Sequence, residues 1–275
     1  MTAFIRCVVL TSAATVLHAT TVAAQTDFYN TDAGRPIRIE DAYSIERRGL
    51  ELQATPLRLE RGSGGQYRWG FEPAVEYGVL PRTQLQVGFP LAWLDAGPSS
   101  RRSGLAGIDV SVLHNFNAET SLPALAIVAD VLLPVGNLAA KKTYPSLTGI
   151  ATKSFSGARV HVNAQYTFGD APAAGTGAGS ALVGGQVLEL SRWFGGVAID
   201  HTFPLRSTLV TAELYAQGGL ASARDVTWHS TIGTRYQVSP RWALDGGIGR
   251  RLTGPDQNWS ITFGGAYALG VPWSR

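Results

Sequence analysis

The feature that most constrains this chain is an alternation of apolar and polar residues with a period of two, recurring in short segments from residue 48 onward. In the run Val160 to Phe168, Val160, Val162, Ala164, Tyr166 and Phe168 are apolar, and His161, Asn163, Gln165 and Thr167 between them are polar. Val226 to Val238 follows the same rule, with Trp228, Ile232, Tyr236 and Val238 set against His229, Thr231, Arg235 and Gln237. Trp259 to Leu269 repeats it with small residues on the second face. Successive side chains of a strand point to opposite faces, so each segment has one apolar and one polar face. A soluble β-sandwich shows this alternation too.

Three features favour a transmembrane barrel over a sandwich. Aromatic residues sit near segment ends, as Trp69 and Tyr77, Trp93, Trp193 and Phe203, Trp228 and Tyr236, Trp242, and Trp259 and Tyr267 show. Rings of this kind form the two interfacial girdles of a membrane barrel. Ionisable residues share the polar face with small ones, which suits a wet lumen. The connections alternate in kind: tight turns such as 79–83, 116–123, 155–159, 203–207 and 238–241 intersperse with stretches rich in Gly, Pro, Ser and charge at 97–104, 136–144, 169–185, 218–225 and 253–258. Short turns on one side and longer loops on the other are the habit of an up-and-down barrel. The expected strands are 48–61, 66–79, 83–95, 105–117, 123–135, 145–155, 158–168, 188–203, 207–218, 226–238, 241–252 and 257–270. They make an all-β, antiparallel transmembrane β-barrel of about twelve strands, occupying 47–275.

The ends supply the compartment. Arg6, the apolar run Cys7 to Val16, and Val22-Ala23-Ala24 before Gln25 read as a signal peptide over residues 1–24, cleaved after Ala24. The run is too short to span the ~30 Å of a bilayer core. Cys7 is the one cysteine and lies in that leader, so no disulfide or cysteine metal site is expected in the exported chain. Residues 25–46 are polar and of mixed charge, which suits either a disordered periplasmic tail or a small plug inside the lumen. Only 16% of residues are charged and the formal charge is +3 with no basic cluster, which argues against a nucleic-acid partner. No window after residue 24 carries the ~20 apolar residues of a membrane helix. The expected location is the outer membrane of a Gram-negative cell. The expected partners are outer-membrane lipid, the barrel-assembly machinery and a small-molecule solute.

The stretches Gly107 to Val112, Leu122-Pro123-Ala124 and Leu133-Pro134-Val135-Gly136, together with Trp242 to Tyr267 carrying Asp245, Gly247 and Gly249, are similar to a known family. The chain resembles the bacterial outer-membrane family named for the meta-pathway of phenol degradation. Its members are barrels encoded near aromatic catabolism genes. The resemblance implies passage of small, hydrophobic or aromatic molecules and carries no catalytic signature.

No enzyme is visible in the sequence. His201 and Ser191 fall at opposite ends of one segment, and His114 and His229 lie in separate ones, so no serine–histidine pair is set by spacing. The Gly175 to Ser180 run lacks the Gly-Lys-Ser/Thr ending of a phosphate loop. No cofactor and no metal ligand spacing is expected. The candidates for function are the inward charges: Arg68, Glu72, Glu76, Asp109, Asp130, Lys153, Asp200, Glu213, Arg235, Asp245 and Arg251 as lumen-lining residues, either pairing with one another or selecting a solute. The reading is a channel or transporter with a narrow lumen. Its alternatives are a structural or lipid-interacting barrel with a sealed lumen, a barrel hydrolase, and a soluble periplasmic β-protein.

Overall fold

The structure, a computed structural model, describes residues 30–61, 67–95, 101–170, 190–202, 207–220, 224–254 and 258–269. The expected signal peptide and the Gly175 to Ser180 run lie outside these residues. The strands, in chain order, are β1 (Leu50–Arg61), β2 (Tyr67–Leu80), β3 (Thr83–Gly88), β4 (Leu91–Asp95), β5 (Arg101–Leu105), β6 (Ile108–Asn115) and β7 (Ala124–Leu133). They continue with β8 (Tyr144–Ser154), β9 (Arg159–Thr167), β10 (Ser191–Thr202), β11 (Thr208–Gly219), β12 (Val226–Ser239), β13 (Trp242–Arg251) and β14 (Trp259–Leu269). No helix occurs among the described residues.

From β6 to β14 each strand pairs antiparallel with the next in the chain, and β1 pairs with both β14 and β2, which closes the sheet. β2 pairs with β3 along one half and with β4 along the other, so β3 and β4 form a single stave, and β5 and β6 form the next. The closed barrel therefore has twelve staves. The interruptions have local causes. Pro90, between β3 and β4, has no N–H to offer a ladder, and its carbonyl instead accepts from Ala106 N–H at 2.8 Å. Gly107, between β5 and β6, sits at φ +155°, and a Cβ there would meet Leu132 Cδ1 at 2.4 Å. Opposite Pro73 of β2, the β1 register slips between Ala54 and Leu57, leaving Glu72 beside a bulge.

Alternation sorts the two faces. Outside, Ile232 of β12 pairs with Ile248 of β13, which pairs with Ile261 of β14, making an apolar row across three staves. Exposed rings stand at both ends of the staves. Tyr67, Trp69, Trp93, Tyr166, Trp228 and Trp259 lie toward the long loops, and Phe116, Phe155, Tyr236 and Trp242 toward the tight turns. Such a surface belongs against hydrocarbon, with its rings at the interfaces. Inside, the alternate positions are mostly polar or small, with larger apolar side chains such as Leu113, Ile150, Phe194 and Tyr215 among them, and many are covered by a segment of the chain itself.

That segment is the strap, residues 30–48, which enters from the tight-turn end and precedes β1. Ile37, Ile39 and Ala42 are at most 1% exposed. Ile37 and Ile39 pack with Phe194, Ala198 and Tyr215 of the wall, and Ala42 packs with Leu113, Ala124, Ala126, Val128 and Ile150. Two apolar clusters thus lie between strap and wall, and two smaller ones, around Leu138 and around Tyr144 with Leu220, lie away from the strap.

Replacing Ile232, which is 59% exposed on the outer row, by Arg is expected to destabilise the folded barrel by about 2–4 kcal/mol, whereas Leu in its place is expected to be nearly neutral. Urea unfolding in lipid vesicles, followed by the shift of folded against boiled protein on a detergent gel, measures both.

Candidate functional site

The lumen is where the sequence places its charges, and the strap determines what they do. Along its length the strap presents backbone polar groups, and inward side chains from successive staves satisfy them. Pro36 O accepts from Thr262 Oγ1 of β14 at 3.1 Å. Arg38 N–H and Ile39 N–H both donate to Glu213 Oε2 of β11, at 2.8 and 3.0 Å. Glu40 N–H donates to Asn163 Oδ1 of β9 at 3.0 Å, and Asn163 Nδ2 donates back to Glu40 O at 2.8 Å. Ala42 N–H donates to Thr152 Oγ1 of β8, and Ala42 O accepts from Asn115 Nδ2 of β6 at 2.7 Å. Ile45 N–H donates to Gln84 Oε1 of β3 at 2.8 Å, and Arg48 N–H to Gly78 O of β2 at 2.7 Å. From Pro36 onward the strap therefore visits the staves in descending order, β14 to β2, running inside the wall from mid-barrel toward the tight-turn end. A buried backbone needs such partners, since an unsatisfied polar group there costs about 1–3 kcal/mol.

The wall is shaped for it. Gly233 and Gly247 face each other across β12 and β13. A Cβ on Gly233 would lie 2.6 Å from Pro36 Cγ, and one on Gly247 3.1 Å from Pro36 O. On β10, a Cβ on Gly196 would meet Ile39 Cδ1 at 2.9 Å and Tyr215 Cβ at 2.4 Å. These glycines leave a flat seat where the strap crosses.

Charge fastens the strap at two places. Arg35, 1% exposed, pairs with Asp32 and approaches Asp245 Oδ2 at 3.8 Å and Glu51 Oε1 at 3.7 Å. Arg235 of β12 donates through Nη2 to Asp32 Oδ2 at 3.0 Å and to Arg35 O at 2.8 Å, and through Nη1 to Asn30 O. Breaking one partner of such a buried network typically costs about 3–5 kcal/mol. The second fastening is Arg159, which grips Asp200 with two hydrogen bonds of 2.9 and 2.7 Å and lies 3.9 Å from Asp41 of the strap. His161 joins it, Nε2 lying 3.0 Å from Asp200 Oδ2 and Nδ1 3.0 Å from Thr152 Oγ1. Thr152, His161 and Asp200 have the connectivity of nucleophile, base and orienting acid. Thr152 and His161 are nonetheless fully buried, and the Thr152 hydroxyl oxygen already accepts from the strap, so the chain acts as a fastening.

Of the charges singled out in the sequence, Arg68, Glu72, Glu76, Asp109, Asp130, Asp200, Glu213, Arg235, Asp245 and Arg251 lie on the inward positions of their staves. Lys153 does not. The inward positions of β8 are Tyr144, Ser146, Thr148, Ile150 and Thr152, and Lys153 stands on the other face. There it pairs with Glu119 of the β6–β7 turn at 3.2 Å and donates to Thr120 O. The physical reason is the period of two, where a displacement of one residue reverses a side chain's face. Asp200, Glu213, Arg235 and Asp245 are gathered around the strap. Glu72, Asp109 and Asp130 form a separate group nearer the long loops, their carboxyl groups within hydrogen-bonding reach of one another. Gly88 makes this possible, because a Cβ there would meet Glu72 Oε1 at 2.9 Å and Asp109 Cβ at 3.5 Å. Glu72 thus crosses the intervening stave to Asp109. His201, His114 and His229 fall apart as the spacing implied, and His229 stacks on Tyr215 inside the lumen with ring centroids 4.7 Å apart.

Above the strap is a chamber of about 230 Å³, floored by Ala33, Gly34, Arg38 and Glu40. One wall carries Glu72, Asp109 and Asp130, with Val128 and Leu132. Arg58 and Phe194 line it elsewhere, Arg38 lying over the Phe194 ring at 4.4 Å.

No protein-family model matches the chain, and no curated protein is similar to it in sequence. Solved structures share its fold. The COG4313 outer membrane channel from Pseudomonas putida F1 superposes with a TM-score of 0.58 at 12% identity, covering 87% of this chain and 100% of that one. The NanC porin does so with a TM-score of 0.54 at 9% identity, over 80% and 100% of the two chains. The translocator domain of the autotransporter NalP from Neisseria meningitidis gives 0.52 at 13%, over 82% and 90%. At such identities the likeness is one of architecture: this chain has the closed-barrel fold of outer-membrane proteins.

Proposed function

We propose that the protein is an outer-membrane channel that passes small solutes through a lumen narrowed at its tight-turn end by the strap. The observation that carries this reading is the circuit of hydrogen bonds by which the strap is held inside the wall. A barrel needing only to be sealed is filled by its own large inward side chains. Here the wall is instead cut back to glycine at 196, 233 and 247, and a separate segment occupies the space. A segment tied by side chains rather than by a strand ladder moves without opening the barrel. Phenol-like solutes, implied by the family resemblance, gain no particular support from a chamber lined by charges. The fold's kinship with the COG4313 channel and the NanC porin agrees with transport.

The direct test is conductance across planar bilayers. Gly233→Phe fills the seat of Pro36 and is expected to raise single-channel conductance severalfold over the unaltered protein, with the heat shift of the folded barrel retained. Unchanged conductance in a folded Gly233→Phe protein would mean the strap does not narrow the path.

Raising the pH should loosen the strap. Burial pushes the Glu40 carboxyl up to about 8, aided by Asp32, Asp41 and Asp130. Burial also raises Asp41, to about 7, against the lowering by Arg159, His161 and the N–H groups of Tyr43 and Thr31. A carboxyl whose docked value lies above its free value favours docking in acid. That advantage is lost as pH rises from the free values of 4.5 and 3.8 through about 8 and 7. Open-channel occupancy is therefore expected to be greater at pH 8.5 than at pH 5, and the difference should shrink in Glu40→Gln.

A further inference from the structure

We propose that the chamber above the strap seats small solutes bearing a primary amine, the ammonium group lodging against Glu72, Asp109 and Asp130. The inference deepens the channel reading and rests on it only for how the solute goes on from the chamber.

The chamber's lining is unbalanced. It contains four carboxyl groups, Glu40, Glu72, Asp109 and Asp130, against two guanidinium groups, Arg38 and Arg58. Arg58 is turned to Glu60 at 2.8 Å. Arg38 reaches Gln217 and Ser191 on the side of β10 and β11, away from the acidic wall. Among the described residues, no Lys, Arg or His pairs with Glu72, Asp109 or Asp130 within 4.0 Å. Elsewhere in the lumen Asp32, Asp200 and Asp245 each have an arginine within that distance. Glu213 instead accepts two strap N–H groups, and Glu76 stands outside the chamber lining, so the acidic wall is the one place in that lining where three such carboxyl groups stand together.

Its hydrogen bonding is also incomplete. Asp130 Oδ1 accepts from Ser146 Oγ at 3.2 Å, whereas Asp109 Oδ1 is buried in the wall without a donor. Carboxylates this close repel unless a proton or a cation stands between them. An ammonium group brings three donors and no acceptor, which answers three carboxyl groups that offer acceptors. Val128, Leu132 and Phe194 supply apolar contact for a short alkyl chain, and about 230 Å³ admits one. An anion of the same size meets a repulsive wall, and a neutral one leaves the charges unanswered.

Three four-carbon probes distinguish these cases on the full-length barrel in detergent: butylamine hydrochloride, butan-1-ol and sodium butyrate, titrated by saturation-transfer NMR. Butylammonium is expected to bind at least tenfold more tightly than either other probe. In Glu72→Gln/Asp109→Asn/Asp130→Asn, confirmed as folded by its heat shift, the preference is expected to fall to within twofold. Equal binding of all three probes would overturn the proposal. So would a preference that survives the triple substitution, or complete displacement of butylammonium by an equal concentration of sodium chloride. Solute flux into liposomes separates the two claims. Flux without amine preference removes this inference alone, and amine preference without flux removes the channel reading while leaving the site.

Discussion

Everything in this molecule depends on closure of the sheet. In hydrocarbon no water is available to a backbone N–H or C=O, so a strand edge left open would carry several unsatisfied groups at kilocalories each. β1 prevents this by pairing with β14 along one edge and β2 along the other. Once the ladder is closed, each residue's face is fixed, and chemistry follows from parity. Apolar residues such as Ile232, Ile248 and Ile261 turn outward, while Arg235, Asp245 and Thr262 on the same staves turn inward.

Closure also creates a difficulty that the strap resolves. A lumen lined with Glu51, Glu76, Asp200, Glu213, Arg235 and Asp245 is costly when dry, because buried charges need partners. The strap brings Arg35 to Asp245 and Glu51, lends Asp32 to Arg235, and gives Glu213 two N–H donors. Wall and strap are thus complementary: the wall satisfies the strap's backbone and the strap satisfies the wall's charges. The Glu72, Asp109 and Asp130 group lies outside that exchange, beyond the strap and facing the chamber. The strap contacts and the acidic chamber thus occupy different parts of one lumen.

Much of the fold was legible because parity is local. Val160 to Phe168 declares its two faces without reference to any other strand, and the expected boundary of 158–168 meets the observed β9 within a residue at each end. Where the signal was weak, at the end of β8, Lys153 was assigned the wrong face by one position. The break at Pro90 falls inside the expected strand 83–95, and β5 lies mostly in the stretch expected as a loop, 97–104, because its pairing with β4 extends the stave beyond Gly107. The candidate site was legible as a set of inward charges but not as two groups. Nothing in the sequence of residues 30–48 repeats, and its partners lie up to 226 positions away, as Pro36 and Thr262 do. Arg159 read as the end of a tight turn, and His161 and Asn163 only as the polar face of a strand. Nothing local to Gly233 and Gly247 announces that their neighbour in space is Pro36.

The central claim, that the strap lies inside the closed barrel, is tested most directly by limited trypsin digestion of the folded, unaltered protein with mass analysis of the fragments. The Arg38–Ile39 bond lies under the wall contacts of Glu213 and Phe194, while Arg47 is exposed at the tight-turn end. The structure predicts that Arg38 resists cleavage until the barrel is boiled, even where Arg47 is cut. Rapid cleavage after Arg38 in protein that still shows the folded heat shift would place the strap outside the lumen and contradict this account.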